Sequence, residues 1–566
     1  MRYLLRRFWV WVTIALMISS ALVACTSKAN SNLQKMGISD RTSDRIILGT
    51  TSKIRTLDPA DANEFFISNV FYNTLERLYT YKEGSNEIVP QLATAMPKVS
   101  EDGLTYTVPV RQGIKFHDRT NFNAYAMKFA LDRFINSKGA PAYILNDVIE
   151  SISVPNEAEL VFKLKQPLQF FPKFLAFTGA AAISPQVYKN IKDEKTGKLL
   201  FLPDKLIGTG PYQVTQFVEG SYLRLDNFPD YWGKKPLNKG IDIQFFSSNS
   251  NLLNAFKTNA VDIAFQTLTP TQVKNVEANA IANGWTIASG QGATILYMVL
   301  NTQQPPLNDV RVRQALAASI DRSLLESRVF FKQRAPLYSL IPNAFVESKP
   351  VFEQKYGTSN SKLARQLLEQ AGYSDDNPAQ ISIWYSPKYG GNGDLIASTM
   401  RASIQKNVGK ILQIKTERVE NTIGYAFLDK GAYPAYLLDW VPDILDADNY
   451  IKPFLECEKA EGSRCVEGSS QFQGSFYYNP KMNELIASER KELDVNKRSQ
   501  QLQKIQEILA EDVPFIPLWQ NKEYAFAQKD VSGVKIQPNQ QLLYWNISKQ
   551  SLTSLKKAEN NQFPKT

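Results

Sequence analysis

Asp102-Gly103-Leu104-Thr105-Tyr106-Thr107 leads through two residues into Val110-Arg111-Gln112-Gly113-Ile114-Lys115-Phe116-His117-Asp118. This stretch reads as turn, strand and turn. Asp102-Gly103 reverses the chain, because aspartate bonds its own backbone and glycine takes a positive φ without steric cost. Residues 105–111 alternate polar and apolar side chains, the period of a strand with one buried face. His117 falls in the turn that follows. It is the single histidine of the chain, so it cannot build a histidine metal cluster, and it reads as a structural residue.

The same reading extends outward in both directions. Residues 45–50 form an apolar, strand-like run, and residues 124–134 carry apolar side chains at helical spacing. Residues 362–371 read as a helix ended by Gly372 as its C-terminal cap, and residues 498–509 as another helix. Gly208-Thr209-Gly210-Pro211 reads as a chain reversal in which glycine supplies unusual backbone angles. Strands and helices mix without a fixed repeat, so the class is α/β. At 566 residues the chain exceeds one ordinary core, which predicts two or three domains. Order is expected from about residue 45 to Trp545, with 548–566 a flexible polar tail.

The N-terminus reads as an export signal. Arg2, Arg6 and Arg7 precede an uncharged stretch from Phe8 to Val23, and Leu22-Val23-Ala24-Cys25 closes it. That ending resembles a bacterial lipoprotein signal, which implies cleavage of residues 1–24, lipidation of Cys25 and a tether over 25–43. Each buried methylene contributes about 0.8 kcal/mol, so two or three acyl chains anchor stably. The formal charge is +10 over the whole chain, or +7 once Arg2, Arg6 and Arg7 leave with the signal. The lysines and arginines are interspersed with acids, which argues against a nucleic-acid partner. The remaining cysteines, Cys457 and Cys465, flank a polar, Gly-containing segment in an exported chain, and a disulfide is expected. Closing so short a loop contributes about 2 to 3 kcal/mol and pins it locally.

Taken with Glu87-Ile88-Val89-Pro90-Gln91-Leu92-Ala93, Ile207-Gly208-Thr209-Gly210-Pro211-Tyr212 and Asn308-Asp309-Val310-Arg311-Val312-Arg313-Gln314-Ala315-Leu316, the opening stretch resembles the signature of the family 5 extracellular solute-binding proteins. These are the dipeptide, oligopeptide and nickel receptors of ABC importers. The resemblance runs over about residues 45 to 545. It implies a two-lobed periplasmic-binding-protein fold (type II, cluster C-like) with an additional small domain in the first lobe. Lobe 1 is then 44–80 with 205–298 and 521–547, the inserted domain is 81–204, and lobe 2 is 299–520. The chain departs from the family at Arg119 and Asn121, where glycine and proline are usual, so that turn is expected to be reshaped.

The resemblance also implies a site. Asp439-Trp440-Val441-Pro442-Asp443-Ile444-Leu445-Asp446-Ala447-Asp448-Asn449-Tyr450 is similar to the family segment that receives a peptide's amino terminus. Asp443 then takes the ammonium group and Trp440 packs beside the ligand. A buried ammonium needs an ionised partner, and an indole wall adds about 0.5 to 2 kcal/mol. Asp446 and Asp448 are expected in a solvated turn, one of them capping a helix at 449–454. Asp439 stands where the family often has glycine, and an extra carboxylate there favours a more cationic ligand. Tyr297 and Trp519, on the two crossings between lobes, are further wall candidates, although each reads equally as plain core. No arginine for the ligand's carboxylate is assigned, since nothing near Arg322 or Arg334 matches.

These readings imply a monomeric, lipid-anchored receptor outside the cytoplasm, facing the periplasm in a Gram-negative envelope. It captures an oligopeptide and delivers it to ABC permease subunits. No cofactor, catalytic residue or metal site is expected, and HExxH and GxSxG motifs are missing from the sequence. Nickel, haem or another small cationic solute as ligand, and a sensing role, stay open, with a secreted hydrolase as a remote alternative.

Overall fold

The structure, a computed structural model, describes residues 44–550 apart from 63, 140, 190 and 192–198. The expected signal, Cys25, the tether and residues 551–566 lie outside the described residues. No described helix is long and apolar enough to cross a membrane.

An eleven-stranded mixed sheet forms the backbone of the molecule. Its two central strands, Thr286–Leu300 and Phe515–Ala527, run antiparallel and are the longest in the chain. One end of this pair is flanked by Ile263–Phe265, then Ile46–Thr50, Gly240–Phe245, Tyr222–Asn227 and Tyr212–Val218. The other end is flanked by Ala435–Trp440, Ala379–Tyr385 and Leu412–Arg418, and the eleventh strand, Arg334–Pro336, pairs with Phe515–Ala527 off this path. Ile46–Thr50 is buried along its whole length because both of its neighbours pair parallel to it, as an unbroken apolar run requires. The register of the central pair breaks between Gln291 and Ile295, where residues 292–294 face Asn521. A Cβ on Gly292 would stand 2.9 Å from the Asn521 carbonyl oxygen, so only glycine lets the two chains run this close.

Separate hydrophobic cores occupy the two ends of the sheet. One gathers Ile46, Leu48, Phe66, Leu225, Ile243 and Tyr544. The other gathers Tyr297, Leu316, Ile383, Phe454, Leu502 and Trp519. These are the two lobes of an α/β molecule. A four-stranded antiparallel sheet, in the order Lys98–Val99, Thr105–Pro109, Glu159–Leu164 and Ile149–Asn156, has a third core around Tyr106, Phe162 and Phe171. The opening stretch builds this sheet. Gly103 has φ +70°, Asp102 accepts from Leu104 N at 3.0 Å, and Tyr106 and Val108 point inward. The helix Ala124–Asn136 packs nearby, capped by Asn123, which accepts from Ala126 N.

Several expectations need correction. Gly208 and Gly210 do not take positive φ. They are required by space, since a Cβ on Gly208 would stand 2.6 Å from the Thr74 carbonyl oxygen, and one on Gly210 2.6 Å from the Thr74 carbonyl carbon. The tail does not begin at 548. Ser548–Lys549 pairs with Val531–Ser532, and Lys549 Nζ lies 2.8 Å from Asp262 at a buried position, which holds the chain past Trp545. At the turn with the unusual residues, Arg119 adopts φ 68°, the left-handed region that glycine fills most easily. Cys457 and Cys465 are joined, with Cα atoms 5.7 Å apart, across the hairpin of Lys459–Glu461 and Arg464–Glu467.

Candidate functional site

Ala435–Trp440 lies beside Thr286–Leu300 with Ile295 opposite Trp440, and the chain leaves the sheet there. The Trp440 ring packs edge-on to Phe454, 5.3 Å between centroids, and its indole nitrogen approaches Asn449 Oδ1 at 3.4 Å. The same Asn449 oxygen accepts the Asp443 backbone N–H at 3.0 Å, so one amide pins both sides of the turn. Asp443 Oδ2 accepts the Tyr143 hydroxyl at 2.8 Å, across a sequence separation of 300 residues. Burial raises the Asp443 carboxyl above its ordinary pKa, and the bonds from Tyr143 and Asn449 only partly offset this. No lysine or arginine within ion-pair distance balances it among the described residues.

Asp443 and Tyr143 stand between two cavities and line both. One, of about 270 Å³, is walled by Phe65, Tyr72, Tyr81 and Phe177. The other, of about 530 Å³, is walled by Phe174, Trp440, Phe472 and Arg490. The walls come from both lobes and from the small four-stranded-sheet domain. An aromatic enclosure with a few convergent polar groups suits capture of a small organic ligand.

Asp446 and Asp448 behave differently from expectation. Asp446 does cap the turn Ala447–Tyr450, accepting from Asp448 N at 2.9 Å, but it is not solvated. Its side chain is 1% exposed and lies 2.5 Å from Arg498 and 2.8 Å from Lys173, which hold its carboxyl well below the usual range against the opposing effect of burial. Asp448 is buried against Arg490. Both acids are structural because arginines from the helices Pro480–Lys491 and Val495–Asp512 reach them, something the local sequence could not reveal.

Comparison with known proteins bears on what this arrangement is. Residues 87–462 match the profile of the bacterial extracellular solute-binding proteins, family 5, middle region. The chain belongs to that family. Among its relatives is the glutathione-binding protein GsiB of Salmonella typhimurium, 26% identical over 502 residues that cover 87% of this chain and 92% of that protein. In fold it is similar to HbpA2 of Haemophilus parasuis (TM-score 0.76, 22% identity, 90% of this chain and 100% of that one). It is likewise similar to DppA of Helicobacter pylori in complex with the peptide STSA (TM-score 0.71, 22% identity, 90% and 99%).

In this family 5 protein, Trp440 and Asp443 lie together at the cavities and the other two candidates do not. Tyr297 is buried in the lobe-2 core against Phe454 and Phe515, its hydroxyl bonded to Gln473 at 2.9 Å. Trp519 is fully buried against Phe330, with its indole nitrogen directed to the Arg322 carbonyl. Side chains on the inner face of a long strand are drawn into the core, and strand position alone does not distinguish core from cleft. Arg322 is committed as well, donating twice to the Pro517 carbonyl at 3.0 and 2.7 Å.

Arg334 instead lines a further cavity with Gln266, Thr267 and Glu523. Burial pulls the Arg334 guanidinium down to about 10 and pushes the Glu523 carboxyl up to about 7. Asp439 is exposed to solvent yet set deep among protein groups, which raises its carboxyl, with Arg334 partly opposing. His117 is buried. Its Nδ1 accepts from Gly208 N at 3.2 Å and its Nε2 donates to the Gly210 carbonyl at 3.0 Å, so the ring is neutral, with its pKa pulled down to about 4 by burial. The sequence reading missed Tyr143, Asn449, Phe472 and Glu523. Asn449 was within reach as an amide inside the acidic turn, whereas nothing in the sequence links Tyr143 to Asp443.

Proposed function

We propose that this chain is the receptor of an ABC importer, that it captures small peptides by their amino terminus at Asp443, and that Cys25 carries its lipid anchor. The observation that carries the reading is Asp443: a carboxylate with its pKa raised by burial, held by a hydroxyl and an amide, beside an indole and between aromatic cavities, with no cation within ion-pair distance among the described residues, the Arg490 of the same cavity being paired with Asp448. A ligand ammonium supplies that cation and offsets the desolvation of both groups. Tyr143 and Trp440 flank the ammonium, and the cavities take side chains of varied shape, with water filling unused space. No bond is made or broken in the ligand. Release to the permease follows from separation of the lobes, which removes contacts made only when they are together.

Calorimetry of the mature protein against di- to pentapeptides tests this. Free peptides should bind, and N-acetylated versions should bind at least tenfold more weakly, about 1.4 kcal/mol. Equal affinity for acetylated and free peptides removes Asp443 from the proposed role. Binding of nickel or haem with no peptide bound replaces the ligand class. The anchor is tested by incorporation of labelled fatty acid, which Cys25→Ala should abolish.

A further inference from the structure

The residues that follow Asp443 are gripped by the small domain of the other lobe. Ile444 is buried within the core of the four-stranded-sheet domain. Lys173, on the helix Phe171–Phe174 of that domain, places Nζ 2.8 Å from Asp446 Oδ2. Phe170 of the same domain lies under the Arg498 guanidinium, 4.2 Å from ring centroid to carbon. Tyr143 completes the set at Asp443. Asp446 and Arg498 belong to lobe 2, where Ala447, Ile451 and Leu502 join the core. The contacts therefore bridge two separately packed bodies.

We propose that Lys173 and Phe170 are positioning residues that clasp residues 444–446 across the lobes and so set the place of Asp443 and favour the closed arrangement before any ligand arrives. This rests on the reading of Asp443 as the ligand-binding carboxylate. The charges make such a clasp reversible. Asp446 has two cations, and Arg498, at 2.5 Å from its own lobe, stays with it when the lobes part. Lys173, whose side chain is 27% exposed, then returns to water. Separation thus leaves no buried charge bare, whereas an Asp446 held by Lys173 alone would resist opening strongly. None of these contacts uses a ligand atom. They act on affinity through the closed fraction, since the apparent Kd is the intrinsic Kd divided by that fraction.

The test has two arms on the mature protein. Small-angle scattering without ligand reads the clasp alone: Lys173→Met should increase the radius of gyration towards that of an opened molecule, and Lys173→Arg should restore it. An unchanged radius in Lys173→Met overturns the proposal, whether or not peptides are the ligand. Calorimetry with the best-binding peptide reads the consequence: Lys173→Met should weaken binding about tenfold, with Lys173→Arg near the parent value. Unchanged affinity, or a loss that arginine does not restore, overturns the positioning role. Phe170→Leu, which keeps bulk and removes the ring, should weaken binding in the same direction, and a variant that binds like the parent removes Phe170 from the clasp. Peptide binding that survives Asp443→Asn strikes instead at the reading beneath it.

Discussion

Asp443 and Asp446 stand on the same turn, the first half-buried and the second fully buried, and their surroundings treat them in opposite ways. Asp446 meets Arg498 and Lys173, and its carboxyl is held below the usual range. Asp443 meets the Tyr143 hydroxyl and the Asn449 amide, and its carboxyl is raised. Burial opposes ionisation at both. The difference lies in where the compensating cation comes from: the fold supplies it at Asp446, and at Asp443 the proposed ligand ammonium would bring it. A buried acid with its own arginine is part of the scaffold, and one without a cation is a candidate for binding.

The largest effect expected from this contrast is on stability at Asp446. Asp446→Ala removes the bidentate partner of the buried Arg498, which keeps Glu489 at 2.8 Å, and should cost about 3 kcal/mol in denaturant unfolding, the low end for breaking a buried pair. A loss below about 1 kcal/mol would mean that the pair is no more than a surface bridge. Asp443→Asn should weaken peptide binding tenfold or more in calorimetry, about 1.4 kcal/mol. The same variant should change unfolding stability by less than about 1 kcal/mol, because no ion pair is broken. A strongly destabilised Asp443→Asn protein would erase the contrast.

Acid should separate the two residues in one experiment. Asp446 has a depressed folded pKa, so its contribution is present above its unfolded value of about 3.9 and is lost as pH falls through the lower folded value. Asp443 must be ionised to hold an ammonium, and its raised pKa means that affinity falls at a higher pH than an ordinary aspartate would give. There should be an acid interval in which circular dichroism reports a folded protein that no longer binds, and Asp443→Asn should show no such step.

The smallest effect comes from His117, which is buried by staying neutral. With its folded pKa near 4 and an unfolded value of about 6.5, its contribution is complete above 6.5 and is lost as pH falls towards 4. His117→Asn should flatten the unfolding midpoint over that interval, and an unchanged slope would show that the histidine titrates alike in the folded and unfolded states.

Much of the fold was legible because it is written locally. Asp102-Gly103 with the alternation through Val108 specifies the small sheet, and the apolar run at 46–50 specifies a strand buried on both faces. The turn at Trp440 to Asp443 was singled out because it resembles a family segment, and the structure sets both residues beside one cavity. What stayed hidden depends on distance along the chain. Arg490 and Arg498 turn a solvated-looking acidic run into a buried network, Tyr143 reaches Asp443 from 300 residues away, and Tyr297 and Trp519 face the core rather than the cavities. Glycine was misjudged at 208 and 210 because the sequence shows that a side chain is absent but not what fills the space.

The irregularity between Gln291 and Ile295 has a mechanical consequence. Between Gln291 and Ile295 the central strands have no ladder pairing to each other, with a second, shorter shift between Leu296 and Tyr297, while Asn521 and Gln520 on the facing strand pair with Arg334 and Ala335. The carbonyls it frees are already taken by side chains, Gly292 by Gln520 Nε2 and Ala293 by the Tyr450 hydroxyl, each at 2.7 Å. A bend at this break costs the central pair itself no ladder contact, and the short strand Arg334–Pro336, paired to residues 519–521, is the piece that has to move with it.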